Sequence, residues 1–436
     1  MQSSFSYGII NSMKIKKIIS QIKDEFQTFS KGQKLFLFFA MLCGFFITAE
    51  YAITKPTSNS IFLAHYSVKL YPYAWLSTVP LNLIIVTLYN RFLSKLGCFR
   101  MFLCTIFLTI GINVFSGVFV QEFPPLAFLL YVWKDIYVLL MFQQLWSVIH
   151  TKTKISKAKY LYGILFGVSG IGAIFGSLVP SFFAVKIGSE SLLYMTIPLY
   201  LFFIGAYHQM LKRSGMKGED HMEIKEAKGG FKLIRSSSAL KFILLIVILM
   251  QLSTTIMDYQ FNSFLQQKFP MQDLRTQFYG RLWGMINACK LCLQFFATFL
   301  LVQFLGLRRS HFVVPGILLG NATLTLIAPS FALFTYGFSV IKMFDYSIFN
   351  ILKEMLYVPL MTDEKFKAKA VIDVFAYRSA KAFASLFVIS LGILSPEKLP
   401  YAYSWGPFTL FAVWIGAVFL YFHPRKRFIF FLETDQ

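Results

Sequence analysis

Apolar residues fall in blocks of about twenty along most of the chain, and that block length is the strongest constraint on its fold. A helix rises about 1.5 Å per residue, so roughly 20 mostly apolar residues are needed to cross a bilayer. Twelve blocks meet this requirement, at about 35–54, 70–91, 100–120, 125–148, 160–185, 190–211, 240–264, 279–304, 309–328, 331–356, 368–394 and 401–422. Hydrophobic residues make up 56% of the chain, above the about 45–50% of a soluble protein. The expected fold is an all-α integral membrane protein with twelve transmembrane helices. Its parts would be a cytoplasmic amphipathic segment at 1–34, a six-helix bundle at 35–211, a polar linker at 212–239, a second bundle at 240–422 and a tail at 423–436.

The net charge is +22. In a soluble chain this would suggest nucleic acid as partner. Here the basic residues stand in short loops between apolar blocks, where they set orientation instead, so no nucleic acid is expected. One side collects Arg91, Lys95, Arg100, Lys152, Lys154, Lys157, Lys159, Arg308, Arg309, Lys365, Lys367, Lys369, Arg425, Lys426 and Arg427, with the N-terminal lysines and the linker. The other holds Lys55, Lys69, Lys186, Lys268, Arg275, Arg281 and Lys398. Both termini are therefore expected in the cytoplasm. Ile15, Ile18, Ile19, Ile22, Phe26 and Phe29 recur at helical spacing among lysines, the pattern of an interfacial helix. No cleavage site follows a short apolar core, so no secretory signal is expected, and Met13 is a candidate start.

Enzyme chemistry finds no foothold. G-x-S-x-G, H-E-x-x-H and P-loop patterns are absent. Cys289 and Cys292 form C-K-L-C without the further ligands a zinc site needs. Neither metal nor cofactor is expected. The glycines at 163, 167, 170, 172 and 176 fall inside a membrane block, where small residues mark close helix packing.

Segments return at a nearly constant offset. "AEYA" at 49–52 is similar to "MDYQ" at 257–260, pairing Glu50 with Asp258. "VWKDIY" at 132–137 is similar to "VIKMFDY" at 340–346, pairing Lys134 with Lys342 and bringing in Asp345. "KAK" occurs at 157–159 and again at 367–369. Two parallel six-helix repeats are the plan of the major-facilitator architecture, a 6+6 pseudo-symmetric pair of bundles with the substrate site between them near the midplane. Ionisable residues inside such a fold face the cavity or one another.

The eleventh block, "KFKAKAVIDVFAYRSAKAFASL" at 365–386, carries Asp373, Arg378 and Lys381. Each costs about 2.5–3.5 kcal/mol in lipid even on the lenient insertion scale. At about 100° per residue, Asp373, Tyr377, Arg378, Lys381 and Ala384 share one broad stripe, and that stripe must avoid lipid. A cavity for an anion, or an ion pair through Asp373, would justify it. Lys134, Lys342, Lys290, Lys381 and Arg378 are the candidate anion ligands. Tyr377, Tyr346 and Trp133 are aromatic surfaces on which a base could stack. Glu50, Asp258, Asp373 and Asp345 are candidates for ion pairing or for proton coupling.

"NILKEMLYVPL" at 350–360, followed by "KFKAKAVIDVFAYRSAKAF", resembles the ATP/ADP translocase family of plastids and obligate intracellular bacteria. The matching residues are Lys353, Glu354, Met355, Tyr357, Pro359, Leu360, Lys369, Ala370, Ile372, Asp373, Val374 and Lys381. "DYQFNSFLQQKFP" around Asp258 is also similar. Departures stand at Ala64, where the family has a lysine, at Thr151, where it has an acid, and at Ala380 and Ala382, where it has glycines. The resemblance implies a secondary transporter of nucleotides or related phosphorylated anions, exchanging ATP and ADP by alternating access. It also implies a monomer in a bacterial cell membrane, in contact with lipid and a small anionic substrate. A proton-coupled transporter of another anionic metabolite, or a membrane protein that moves nothing, is the alternative.

Overall fold

The computed structural model describes residues 29–152, 155–214, 230–294, 298–357, 360, 368–369, 371–394 and 399–422. The amphipathic N-terminal helix, most of the linker and the tail read from the sequence lie outside these residues. Among the described residues every regular element is helical.

Helix α1 (Lys31–His65) starts on a capping box. The Gln33 amide donates to the Ser30 side chain at 3.2 Å, and the Ser30 amide donates to Gln33 Oε1 at 3.0 Å. Two amides that a helix start leaves unpaired are thereby satisfied. The helix runs for 35 residues, well past the boundary near 54 drawn from hydropathy. This corrects the placement of Lys55, which lies inside the span and not in a loop. Lys55 and Pro56 depress local hydropathy, yet Ile61, Phe62 and Leu63 beyond them are buried and hold the helix in the bundle.

Helix α2 (Tyr71–Phe119) makes two passes, Val68–Leu93 and Lys95–Phe119, about a reversal at Gly97 (φ 76°, ψ 170°). Helices α3 (Pro125–Lys152), α4 (Ile155–Ile187), α5 (Ser189–Tyr194) and α6 (Thr196–Ser214) follow. A short α7 (Gly230–Ser236) leads into α8 (Ser238–Lys268) and α9 (Gln272–Cys292). Helix α10 (Thr298–Ile327) turns at Gly306 (φ 73°, ψ 162°). Helix α11 (Phe331–Phe344) passes through a π-helical turn, Asp345–Phe349, into α12 (Asn350–Tyr357). A second π turn, Val371–Ala376, precedes α13 (Tyr377–Leu394), and α14 (Leu399–Tyr421) closes the fold.

Gly97 and Gly306 stand 209 positions apart with nearly the same backbone angles. Such angles are open to glycine and strained for a residue with a Cβ. The offset matches that of the sequence repeats. "KLGCFR" and "FLGLRR" around the two glycines carry the same signal.

Among the described residues nine helical segments are long and apolar enough to cross a membrane, against the twelve expected. The described residues of the other three ranges, at 279–304, 331–356 and 368–394, are also helical. There π turns and charged side chains such as Arg281, Lys290, Lys342 and Lys381 interrupt the apolar run.

One hydrophobic core gathers residues mainly of α1, α2, α3 and α6 and takes in Ile256 and Tyr259 of α8, Val388 of α13 and Tyr403 of α14, and a second gathers residues of α8, α10, α11, α12 and α14. The two groups meet along α4 with α9 and α2 with α13. Close approach needs small residues there. A Cβ on Gly280 would come within 2.7 Å of the Ser181 nitrogen where α9 meets α4, and a Cβ on Gly176 would fall onto the Ala49 backbone where α4 meets α1. Gly170, Gly172 and Gly176 of the fifth block are thus packing positions, against Leu291, Phe45 and Ala49.

At the end of the bundle holding His65 and Lys268 the two groups are tied by side chains. Gln266 Nε2 donates to the carbonyls of Leu63 (2.9 Å) and Tyr66 (3.3 Å), and the Val68 amide donates to Gln266 Oε1 (3.0 Å). Asp273 accepts from the Ser189 amide at 2.8 Å and its hydroxyl at 2.5 Å.

Candidate functional site

Polar residues that the membrane blocks cannot show to lipid converge on a cavity of about 380 Å³ between α1, α2, α3, α8, α9, α11 and α13. Its cations are Lys55, Lys134, Lys342, Arg378 and Lys381, and its carboxylates are Asp135 and Asp258. A cavity of about 440 Å³ adjoins it on the Lys31 side. The two share Tyr51, Lys55, Gln251, Trp283, Tyr346 and Tyr377.

Two cations are already paired. Lys342 Nζ is 2.8 Å from Asp258 Oδ2, linking α11 to α8, and both groups are largely buried. Lys134 Nζ is 3.2 Å from Asp135 Oδ1, which also accepts from the Tyr51 hydroxyl at 3.0 Å. Lys134 also sits 4.0 Å from the Tyr131 ring centre. Lys55, Arg378 and Lys381 have no carboxylate within ion-pairing distance among the described residues. Aromatic faces hold two of these three. Lys55 Nζ is 3.6 Å from the Trp283 ring centre and Lys381 Nζ is 5.4 Å from that of Trp75. A ring face attracts a cation yet leaves its hydrogens free to meet an anion.

Helix α13 shows why one element carries both faces. Tyr377, Arg378 and Lys381 line the cavity, while Phe383, Leu386 and Phe387 are exposed on the opposite side, where lipid would lie. The Asp373 side chain falls outside the described ones. Tyr377 also lines the second cavity, as do Lys290 and Asp345. Lys290 Nζ donates to Asn287 Oδ1 at 3.4 Å, and Asp345 accepts from Gln251 at 3.4 Å.

Glu50 lies elsewhere. It is buried inside the first group of helices, accepting from Thr54 at 2.6 Å and from Tyr137 at 2.8 Å, and it lines neither cavity. The repeat places it level with Asp258 along the chain, but the two carboxyls have unlike surroundings. Trp133 is likewise a core residue, donating to Thr109 at 3.3 Å. Sequence reasoning passed over Lys55, Asp135, Tyr51 and Trp283. The spacing Tyr51, Lys55, Asn59, four residues apart each time, was the available signal, since such positions share a helix face.

Helix α11, the π turn after it and α13 all fall within residues 322–414, and this stretch matches the model of the TLC ATP/ADP transporter family. Over these residues the chain is similar to the ATP/ADP transporters. The ATP/ADP transporter match places the protein among multi-pass integral membrane transporters, with a small molecule as cargo and lipid around it. Solved structures agree on the fold. The chain is similar to a bacterial homologue of the iron transporter ferroportin in an inward-facing state, with a TM-score of 0.61, 13% identity, and coverage of 89% of this chain and 98% of that one. It is similar to the nucleoside transporter NupG, with a TM-score of 0.60, 12% identity, and coverage of 88% and 97%. A bacterial homologue of the lysosomal transporter Spinster matches at a TM-score of 0.55, 10% identity, and coverage of 90% and 96%. At these identities the likeness is one of architecture, the major-facilitator plan.

Proposed function

We propose that this ATP/ADP transporter relative exchanges a nucleoside polyphosphate, ATP or ADP in type, across a bacterial cell membrane by alternating access. The observation that carries the reading is the cavity lining, with five cations against two carboxylates. A cavity with surplus cations in a low-dielectric setting is unfavourable when empty. A polyanion removes that penalty, so passage between states is favoured with cargo bound, and exchange follows. Lys55, Lys134, Lys342, Arg378 and Lys381 supply the phosphate contacts. Lysine is a compact point charge suited to that role.

In this reading residues 35–211 and 240–422 are the two moving bundles, joined by 212–239. Both termini face the cytoplasm, and the working unit is a monomer. The test is uptake of labelled ATP, ADP, GTP, NAD and phosphate into proteoliposomes, with and without preloaded counter-substrate. Uptake of a nucleotide that depends on preloading is expected. Transport of a neutral or cationic solute, with no nucleotide moved, defeats the reading.

One observation favours proton coupling as a second reading. Asp258 Oδ1 is buried without a hydrogen-bond partner and could carry a proton when Lys342 turns to cargo. Anion uptake driven by an imposed pH gradient into empty vesicles would select it.

A further inference from the structure

The two cavities differ in chemistry, and the constriction between them is aromatic. The first is lined by the five cations with Asn59, Thr78 and Asn82. The second is walled by Phe142, Phe166, Val247, Phe349 and Pro56, and Lys290, Lys353 and Asp345 also line it. Four of the six residues shared by both are Tyr51, Trp283, Tyr346 and Tyr377, and the other two are Lys55 and Gln251.

Two of these rings are set by irregular backbone. Tyr346 lies in the π turn Asp345–Phe349, and Tyr377 follows the π turn Val371–Ala376 directly. Such turns occur mostly as single insertions at functional sites. The effect at Tyr346 is visible. Asp345 and Ser347 beside it are buried, whereas Tyr346 is 40% exposed, and its ring lines both cavities. Trp283 is held from one side by Lys55 at 3.6 Å.

We propose that this aromatic neck selects cargo in which a planar heterocycle is joined to a polyanionic tail, and that it fixes the cargo's direction. The phosphate tail enters the cationic chamber, toward the His65 end. The base lies in the neck against Tyr346, its ring edge within reach of the Gln251 amide, and faces the apolar chamber. The reverse orientation would put a polyanion among Phe142, Phe166 and Phe349, where only Lys290 and Lys353 stand beyond the neck with Asp345, and would leave Lys55, Arg378 and Lys381 without a counter-charge from the cargo, both of which are costly. Neck and tail sites therefore make separable contributions. The cationic chamber alone would take free polyphosphate, and the neck adds preference for a nucleotide.

The proposal rests on the nucleotide reading above, and the test keeps the two apart. Purified full-length protein is titrated with labelled ADP and, separately, with labelled tripolyphosphate, which has a tail and no ring. Tyr346→Ala is expected to weaken ADP binding roughly tenfold, as base stacking does when a ring is removed, and to change tripolyphosphate binding less than about twofold. Tyr346→Phe keeps the ring and should bind ADP nearly as the wild type does. Lys381→Ala should weaken both ligands together. Equal loss of both ligands in Tyr346→Ala, or unchanged ADP binding, overturns the neck while leaving the nucleotide reading in place. A wild type that binds tripolyphosphate as tightly as ADP overturns the neck as well. A wild type that binds no nucleotide overturns both.

Discussion

The pair formed by Lys342 and Asp258 allows the architectural role of a buried ion pair to be separated from a role in cargo binding. At 2.8 Å and an effective dielectric of about 20, the gross attraction is ~6 kcal/mol. Most of this is offset by desolvation. Removing one member of a buried pair costs about 3–5 kcal/mol, because the other charge is stranded, whereas removing both is often close to neutral. The cost here should fall toward the lower figure, since the Asp258 side chain is 20% exposed to the cavity. Lys342→Met should therefore reduce the amount of protein in the membrane. The double substitution Lys342→Met with Asp258→Leu should restore it. Transport should stay lost in the double variant if Lys342 is also a phosphate ligand. Membrane level is read by quantitative immunoblot, and transport by ADP uptake normalised to that level. A double variant as scarce as Lys342→Met would refute the energetic argument. A double variant transporting at the full normalised rate would refute the cargo role.

Two further outcomes follow from packing and closure. Gln266→Ala removes three hydrogen bonds of about 0.5–1.5 kcal/mol each, and should open the bundle at its His65 end. An Asn59→Cys reporter in the cavity should then react faster with an impermeant thiol reagent added on that side, and an unchanged rate would refute the latch. Gly176→Val drives a side chain into the Ala49 backbone and should sharply lower the protein level, while Gly205→Ala, with open space around it, should leave it unchanged.

Block length was enough to place nine of the expected spans among the described residues, because the bilayer imposes it on sequence directly. The ends were less legible. Lys55 and Pro56 depress a hydropathy window, but burial of Phe62 and Leu63 is a tertiary effect that no window contains. The offset near 208 paired Lys134 with Lys342, and both line the same cavity. The same offset paired Glu50 with Asp258, yet only Asp258 reaches the cavity. A repeat fixes depth along a helix, while the rotation that aims a side chain depends on neighbouring helices. Trp283 and Tyr346 were hidden by abundance. With 18% aromatic residues, no single ring stands out until the cavity walls are known.

The tie at Gln266 has a consequence for how this protein can change over generations. Its partners are the carbonyls of Leu63 and Tyr66 and the amide of Val68, atoms that most residue types would present in the same way. Residues 63–68 can therefore drift in identity without loosening the tie, so long as the backbone path is kept. The whole mutational sensitivity of this contact is concentrated in one codon on the α8 side. Closure at this end is thus robust to change in one bundle and adjustable through a single position in the other.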